Sequence, residues 1–189
     1  GFYDFTSRIL YLPSKKHEDG PEMDFYDGNL NHLWVDLFIL DEFPDNKIKG
    51  ALTLFFQRAL YGMAMGHRYR LDLSKYGIKE KLMVGFLAAI GRLIPLSLIF
   101  RIQNRLSVKY NGKKNKYYYY SNYQPDFIQV LVERTWSGNI KELEFEGRSY
   151  MAPADPDGVL KAIYGDYMKL PPKEQRVPSH SSMEIQIYE

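Results

Sequence analysis

The stretch Leu33-Trp34-Val35-Asp36-Leu37-Phe38-Ile39-Leu40-Asp41 constrains this chain more than any other, because it places two carboxylates in an apolar run. Its Val, Leu, Ile, Trp and Phe content predicts a buried strand over Trp34–Leu40. An unpaired charge inside such a strand is strongly unfavourable, so Asp36 needs a cation or a hydrogen-bond network to meet it. On a regular strand Asp36 and Asp41 would point to opposite faces. Asp41 is therefore expected at the strand's end, or in the turn before Pro44-Asp45-Asn46. Two roles stay open for Asp36: a hydrogen-bonded structural carboxylate, or a metal ligand at the active edge of a sheet.

With 189 residues the chain suits a single domain over 1–189, long enough for a real core. A net charge of +2 is too small to attract nucleic acid in bulk, and no nucleic-acid partner is expected. The chain has no cysteine. Disulfides and thiolate metal sites are thus excluded, which suits a reducing compartment and a cytoplasmic location. Gly1-Phe2-Tyr3-Asp4-Phe5 has neither the basic start nor the apolar centre of a signal peptide, and there is no initiator Met. The expectation is a chain that begins part-way through a longer protein. Sixteen tyrosines and eleven phenylalanines could fill a core or line a site that stacks bases or sugars.

Phe5–Leu12 reads as an opening strand stopped by Pro13, followed by a long polar loop over Ser14–Asn31. After Pro44-Asp45-Asn46, a helix of about five turns is expected. Ile48, Leu52, Phe55, Phe56, Ala59 and Met63 would form its buried face, with Lys47, Lys49, Thr53 and Gln57 opposite. Lys79–Tyr110 is a second helical region, so that a helical subregion runs over about 45–110. Its centre, Leu82–Phe100, is nearly all apolar, but Arg92 lies inside it and Pro95 should break it. A buried helix pair ranks first for this centre, ahead of a surface-lying hairpin and a membrane span. Arg101, Arg105 and Lys109 then share one helix face, either as a solvated stripe or as a contact for anionic headgroups or a phosphate-bearing acceptor.

Tyr117–Tyr120, Phe127–Trp136 and Leu143–Phe145 read as strands, with Trp136-Ser137-Gly138-Asn139 as a hairpin connection. Asp155-Pro156-Asp157 starts a helix that should run to about Tyr164 and end on Gly165.

Glycine-rich phosphate loops, a nucleophile elbow and the zinc-protease helix motif are all absent, and the four histidines lack metal-ligand spacing. What remains is carboxylates at the ends of predicted elements: Asp36, Asp41 and Asp166. An oxygen-only ligand set favours Mg²⁺ or Mn²⁺ over zinc and suits metal-dependent phosphoryl chemistry.

The segment Tyr164-Gly165-Asp166-Tyr167-Met168-Lys169-Leu170-Pro171-Pro172, followed by Lys173, Arg176 and His180, resembles the C-terminal signature of the LicD family. That family comprises phosphorylcholine transferases of bacterial surface glycans, related to the fukutin-type ribitol-phosphate transferases. Val35–Asp41 resembles a second family segment, and Phe145-Glu146-Gly147 with Pro153 also fits. The resemblance implies an α+β, nucleotidyltransferase-like fold: a mixed sheet with a largely helical insertion, incomplete at its N-terminus. It implies Mg²⁺-dependent transfer of a phosphocholine-like group from a CDP-activated donor such as CDP-choline to a glycan of lipopolysaccharide or teichoic-acid type. Asp36 would be a metal ligand and share the catalytic base's work, and Asp41 would be structural or stand behind it. Tyr164, Asp166, Tyr167, Arg176 and His180 would shape the donor or acceptor pocket. The family's upstream Trp-Asp-Asp-Asp-Ile-Asp motif is not in these residues, so a missing N-terminal segment or chain is expected to complete the site. The chain by itself is expected to be inactive. A rival reading is a non-catalytic module on the same fold that binds a glycan or a membrane surface, with peripheral membrane contact.

Overall fold

The computed structural model describes residues 1–16, 20–74, 76–170, 172, 176, 186 and 187. Over these the chain is α+β, with strands β1 (Ser7–Tyr11), β2 (Ser14–Lys15), β3 (Leu33–Leu37), β4 (Leu40–Phe43), β5 (Tyr117–Tyr120), β6 (Leu131–Glu133), β7 (Ile140–Phe145), β8 (Arg148–Pro153) and β9 (Gln186–Ile187). The helices are α1 (Pro21–Phe25), α2 (Lys47–Ala64), α3 (Ile78–Arg92), α4 (Leu96–Ser107), α5 (Arg134–Ser137) and α6 (Pro156–Tyr164). The expected mixed sheet is replaced by four small antiparallel ones: β1–β3, β2–β9, β4–β5–β6 and β7–β8.

The apolar run that carries Asp36 and Asp41 is two strands in two sheets rather than one. Asn122 holds the break open at both sides. Its Oδ1 accepts from Ile39 N at 2.8 Å, its Nδ2 donates to Leu37 O at 2.8 Å, and Ser121 N donates to Ile39 O at 3.1 Å. The backbone groups freed between β3 and β4 are thus paired, which is the condition for leaving a sheet in a partly buried segment.

Helix α2 begins where Asn46 accepts from Lys49 N at 3.1 Å, as its sequence predicts. The expected faces hold only in part: Lys47 and Lys49 are exposed and Ala59 and Met63 half-buried, but four of the apolar positions and two of the polar ones are exchanged. Thr53 and Gln57 are buried, whereas Ile48, Leu52, Phe55 and Phe56 are exposed. The inward amide is satisfied: Gln57 Nε2 donates to Ser107 Oγ at 2.9 Å and to the Tyr119 hydroxyl at 3.1 Å. Gln103 Nε2 donates to Ser107 Oγ at 3.0 Å and to Ser121 O at 2.9 Å. A fully paired amide can be buried at little cost, so hydrophobic periodicity alone does not decide which face turns inward. Burial pushes the Tyr119 hydroxyl up to about 12, a fully buried donor and acceptor within this network.

The second helical region breaks at Pro95, as expected, and α3 and the helix that follows it are bent by 114°. No single described helix is long and apolar enough to cross a membrane. Helix α3 is buried only at Val84, Ala88 and Gly91, on its side toward α2, so the expected buried pair holds for those residues but not for Leu82, Met83 or Phe86. The apolar core joins Phe2, Phe5, Leu60, Tyr61, Ala64, Met65, Val84 and Ile99. The Phe2, Phe5 and Tyr61 rings meet edge to face at 5.0–5.8 Å between centroids.

Three further segments differ from their sequence reading. The Ser14–Asn31 loop contains β2 and α1. The strand expected over Phe127–Trp136 shrinks to β6, and α5 follows it directly. The hairpin reverses at Glu146-Gly147, not at Ser137-Gly138-Asn139; both turn residues have positive φ, 50° and 73°. Helix α6 matches its prediction. Asp155 accepts from Gly158 N at 3.0 Å, and Gly165 takes a positive φ of 68° at the other end.

The α2–α3 crossing depends on glycine. A Cβ on Gly91 would run into the Met63 carbonyl, and one on Gly66 into the Ala88 carbonyl, both backbone atoms that cannot rotate away. Gly91→Ala is expected to lower stability by about 1–3 kcal/mol despite alanine's better helix propensity. Urea unfolding measures this; unchanged or raised stability would contradict the close crossing.

Candidate functional site

Asp36 lies on β3 directly opposite Arg8 of β1, and the β1–β3 register makes this pair a cross-strand neighbour. Arg8 Nε sits 3.0 Å from Asp36 Oδ1, an ion pair with the Asp36 side chain 35% exposed. The other side of the guanidinium grips Asp4, Nη1 to Oδ1 at 2.9 Å and Nη2 to Oδ2 at 2.6 Å. Arg8 therefore bridges two carboxylates, with its plane near the rings of Tyr3 and Trp34 at 5.1 and 5.2 Å. Burial works against the Arg8 charge, but the Asp4 hydrogen bonds and the charges of Asp4 and Asp36 outweigh it and hold its pKa above the ordinary value. This is the cation that the sequence required for a strand aspartate.

Trp34 lies two residues before Asp36, on the same face of β3. Lys16 Nζ sits 3.3 Å from the centroid of its ring. Burial against the strand, followed by repulsion from Arg8, lowers the Lys16 pKa, with Asp36 opposing. Beside this group opens a cleft of about 520 Å³ walled by Tyr3, Met23, Trp34 and Tyr69, with Glu22 and Arg70 as its charged members. A second hollow of about 320 Å³ adjoins it past Tyr3 and Leu30 and reaches Asp4 and Arg8. Aromatic walls with a few charged groups at the rim suit a planar or cationic ligand that also carries an anionic group.

Aromatic packing continues past the end of β3 through residues that sequence reasoning did not single out. Phe38, just after β3, packs on Tyr123 at 4.3 Å between centroids, and Tyr123 stacks on Phe127 at 4.6 Å. The Tyr123 hydroxyl is raised above its ordinary pKa by burial first, then by Tyr164, Asp36 and Asp4. Tyr164 acts on Tyr120 in the same way. Tyr123 is thus within electrostatic reach of both Asp36 and Tyr164. Nothing in the pattern around Ser121-Asn122-Tyr123 marks it in advance, because its role follows from the break between β3 and β4.

The other expected site residues are placed as follows. Asp41 is buried on β4, accepting from Asn111 Nδ2 at 2.6 Å and from Ser121 Oγ at 2.5 Å. The strand break puts it in a different sheet from Asp36, and its oxygens are used in holding β4 to its neighbours. Tyr167 donates its hydroxyl to Asp157 Oδ1 at 2.9 Å, and Asp157 in turn pairs with Lys161 at 2.7 Å. This closes the end of α6 onto its own first turn. Tyr164, Asp166 and Arg176 are exposed, and His180 lies outside the described residues.

Glu42 is a buried carboxylate that sequence reasoning passed over. It takes Arg134 Nη2 at 2.5 Å, Gly112 N at 3.2 Å, Asn115 N at 3.0 Å and Asn115 Nδ2 at 3.1 Å. These bonds join β4 to the segment before β5 and to α5. The carboxylates of Asp36, Asp41 and Glu42 do not converge. Among the described residues no group of three or more His, Asp or Glu side chains could hold a metal ion. Asp36 already faces an arginine. The described residues therefore do not by themselves fit Mg²⁺ or Mn²⁺.

Set against known proteins, the chain matches no protein-family model and no solved structure. It is 24% identical over 167 residues to the lipopolysaccharide cholinephosphotransferase LicD of Haemophilus influenzae. That likeness covers 81% of this chain, which spans 57% of the length of the relative.

Burial tends to raise the Glu42 pKa, but the Arg134 and Asn115 hydrogen bonds overcome it and hold the group below its ordinary 4.5. A carboxylate depressed in the folded state stabilises the fold above its unfolded pKa, and that contribution is lost as pH falls through the folded value. Urea unfolding of the wild type should therefore weaken more steeply below about pH 4.5 than that of Glu42→Gln. Parallel pH profiles for the two proteins would contradict this role for Glu42.

Proposed function

We propose that the chain forms part of a LicD-type phosphotransferase that moves a phospho-alcohol group, phosphocholine or a close analogue, from a CDP-activated donor to a cell-surface glycan. The likeness to LicD across four-fifths of the chain supports this reading. The observation that carries it is local: Arg8, gripped by Asp4, faces Asp36 beside a cleft walled by Tyr3, Trp34 and Tyr69, on the strand that resembles the family.

On this reading an acceptor hydroxyl attacks the alcohol-bearing phosphorus of the donor. A new P–O bond forms to the glycan, the diphosphate P–O bond breaks, and CMP departs. Asp36 takes the proton from the attacking hydroxyl, and Arg8, gripped by Asp4, fixes the orientation of that carboxylate. The cleft walled by Tyr3, Trp34 and Tyr69 holds the donor, with Arg70 and Lys16 near its phosphates. Tyr164, Asp166, Tyr167, Arg176 and His180 complete the donor or acceptor side. If the complete protein uses Mg²⁺ or Mn²⁺, the ligands would come from outside the described residues, since Asp36 already faces Arg8. The reaction would take place on the cytoplasmic face of the membrane.

In the complete protein, Asp36→Asn should lower transfer of labelled phosphocholine from CDP-choline by about a hundredfold or more. The unfolding midpoint should stay near that of the wild type. Full activity in this variant would contradict the assignment and favour a module that binds without catalysing.

A further inference from the structure

The small net charge conceals a strongly divided molecule. Residues 46–125 contain fifteen Lys and Arg and only two acids, Asp72 and Glu80. The rest of the chain contains ten Lys and Arg against twenty-one acids. The basic part is the part that holds α2, α3 and α4.

The same helices leave large apolar side chains in solvent. On α2 the exposed stripe is Ile48, Leu52, Phe55 and Phe56, with Phe55 63% exposed and its ring 5.4 Å from that of Phe56. On α3, Leu82 is 72% exposed and Phe86 stands one turn further on. Leu93, at the bend before Pro95, is 85% exposed. On α4 the exposed side mixes the two chemistries: Leu98 and Ile102 alternate with Arg101, Arg105 and, beyond the helix, Lys109. Soluble surfaces rarely leave this much apolar area without a partner.

We propose that α2, α3 and α4 form a docking surface for an anionic lipid bilayer, on which the protein lies without crossing it. The charge selects the partner. Basic groups with only Asp72 and Glu80 among them are drawn to acidic headgroups, while the excess acid elsewhere in the chain is turned away, which fixes the orientation. The apolar side chains separate lipid from nucleic acid. Ile48, Leu52, Leu82 and Leu93 enter the acyl boundary, whereas aliphatic side chains neither stack on bases nor bind phosphate. Long basic side chains among them keep their charges at headgroup depth. No single described helix is long and apolar enough to cross a bilayer, and the pair that together has the length and composition, Ile78–Arg92 with Leu96–Tyr110, is bent by 114°. The proposal is independent of the transfer reaction, because lipid binding needs no donor.

The test is cosedimentation of the protein with vesicles of phosphatidylcholine, alone or with phosphatidylglycerol. Binding should need the anionic lipid and weaken with salt. Arg101→Glu with Arg105→Glu should weaken it about tenfold or more. Phe55→Ser with Phe56→Ser should weaken it by a similar factor while leaving the circular dichroism spectrum and unfolding midpoint unchanged, since neither ring is buried. Four outcomes would overturn the proposal. One is no binding to anionic vesicles at low salt, and another is equal binding to pure phosphatidylcholine. The others are retention on DNA in place of vesicles, and an apolar double variant that turns a dimer into a monomer without changing lipid binding.

Discussion

The structure depends on a buried polar contact. Gln57 of α2 and Gln103 of α4 meet at Ser107 and reach the Tyr119 hydroxyl and the Ser121 carbonyl, so two helices are tied to the three-stranded sheet by directional bonds. Each amide left unpaired there would cost about 1–3 kcal/mol, which makes the register of α2 over β5 all-or-none. The contact turns Thr53 and Gln57 of α2 inward and leaves Ile48, Leu52, Phe55 and Phe56 exposed, while Leu60, Tyr61 and Ala64 pack in the core. It also fixes Ser121, whose hydroxyl binds Asp41 and whose neighbour Asn122 holds the gap between β3 and β4. The position of Asp36 follows from that gap.

A second constraint acts on β3. With one antiparallel partner, β1, and apolar side chains such as Ile9 and Val35 exposed on its other face, this ribbon has little packing of its own. Arg8 compensates by joining Asp4, Asp36 and the rings of Tyr3 and Trp34. An arginine in this position is more than a counter-ion. Its fork holds one carboxylate in two bonds while its remaining nitrogen meets the other, an arrangement a lysine could not reproduce.

Much of the local structure was legible in the sequence. The Asn46 and Asp155 caps, the break at Pro95, the β5 tyrosines and the Gly165 helix end all rest on short-range chemistry, and all are found. So was the need for a cation at Asp36, though not its identity, because Arg8 lies far away in sequence and only the pairing of β1 with β3 brings it near. The failures share a cause. Gln57 looks like a surface residue until a serine and a tyrosine from other elements pair with it, and Thr53 turns inward one turn before, its hydroxyl on the Lys49 carbonyl. Leu33–Asp41 looks like one strand until an asparagine more than eighty residues away bonds across its middle. Tyr123 and Glu42 gain their roles from the same kind of distant contact, which no local pattern encodes.

On the proposed reading the donor sits in the cleft at Trp34, beside the Arg8–Asp36 pair. The most direct measurement is photoaffinity labelling of the complete protein with an azido analogue of CDP-choline, the attachment points being mapped by mass spectrometry. The account predicts adducts at or beside Tyr3, Trp34 or Tyr69, suppressed by excess CDP-choline. Suppressible adducts confined to α2, α3 or α4, or no suppressible adduct at all, would contradict it.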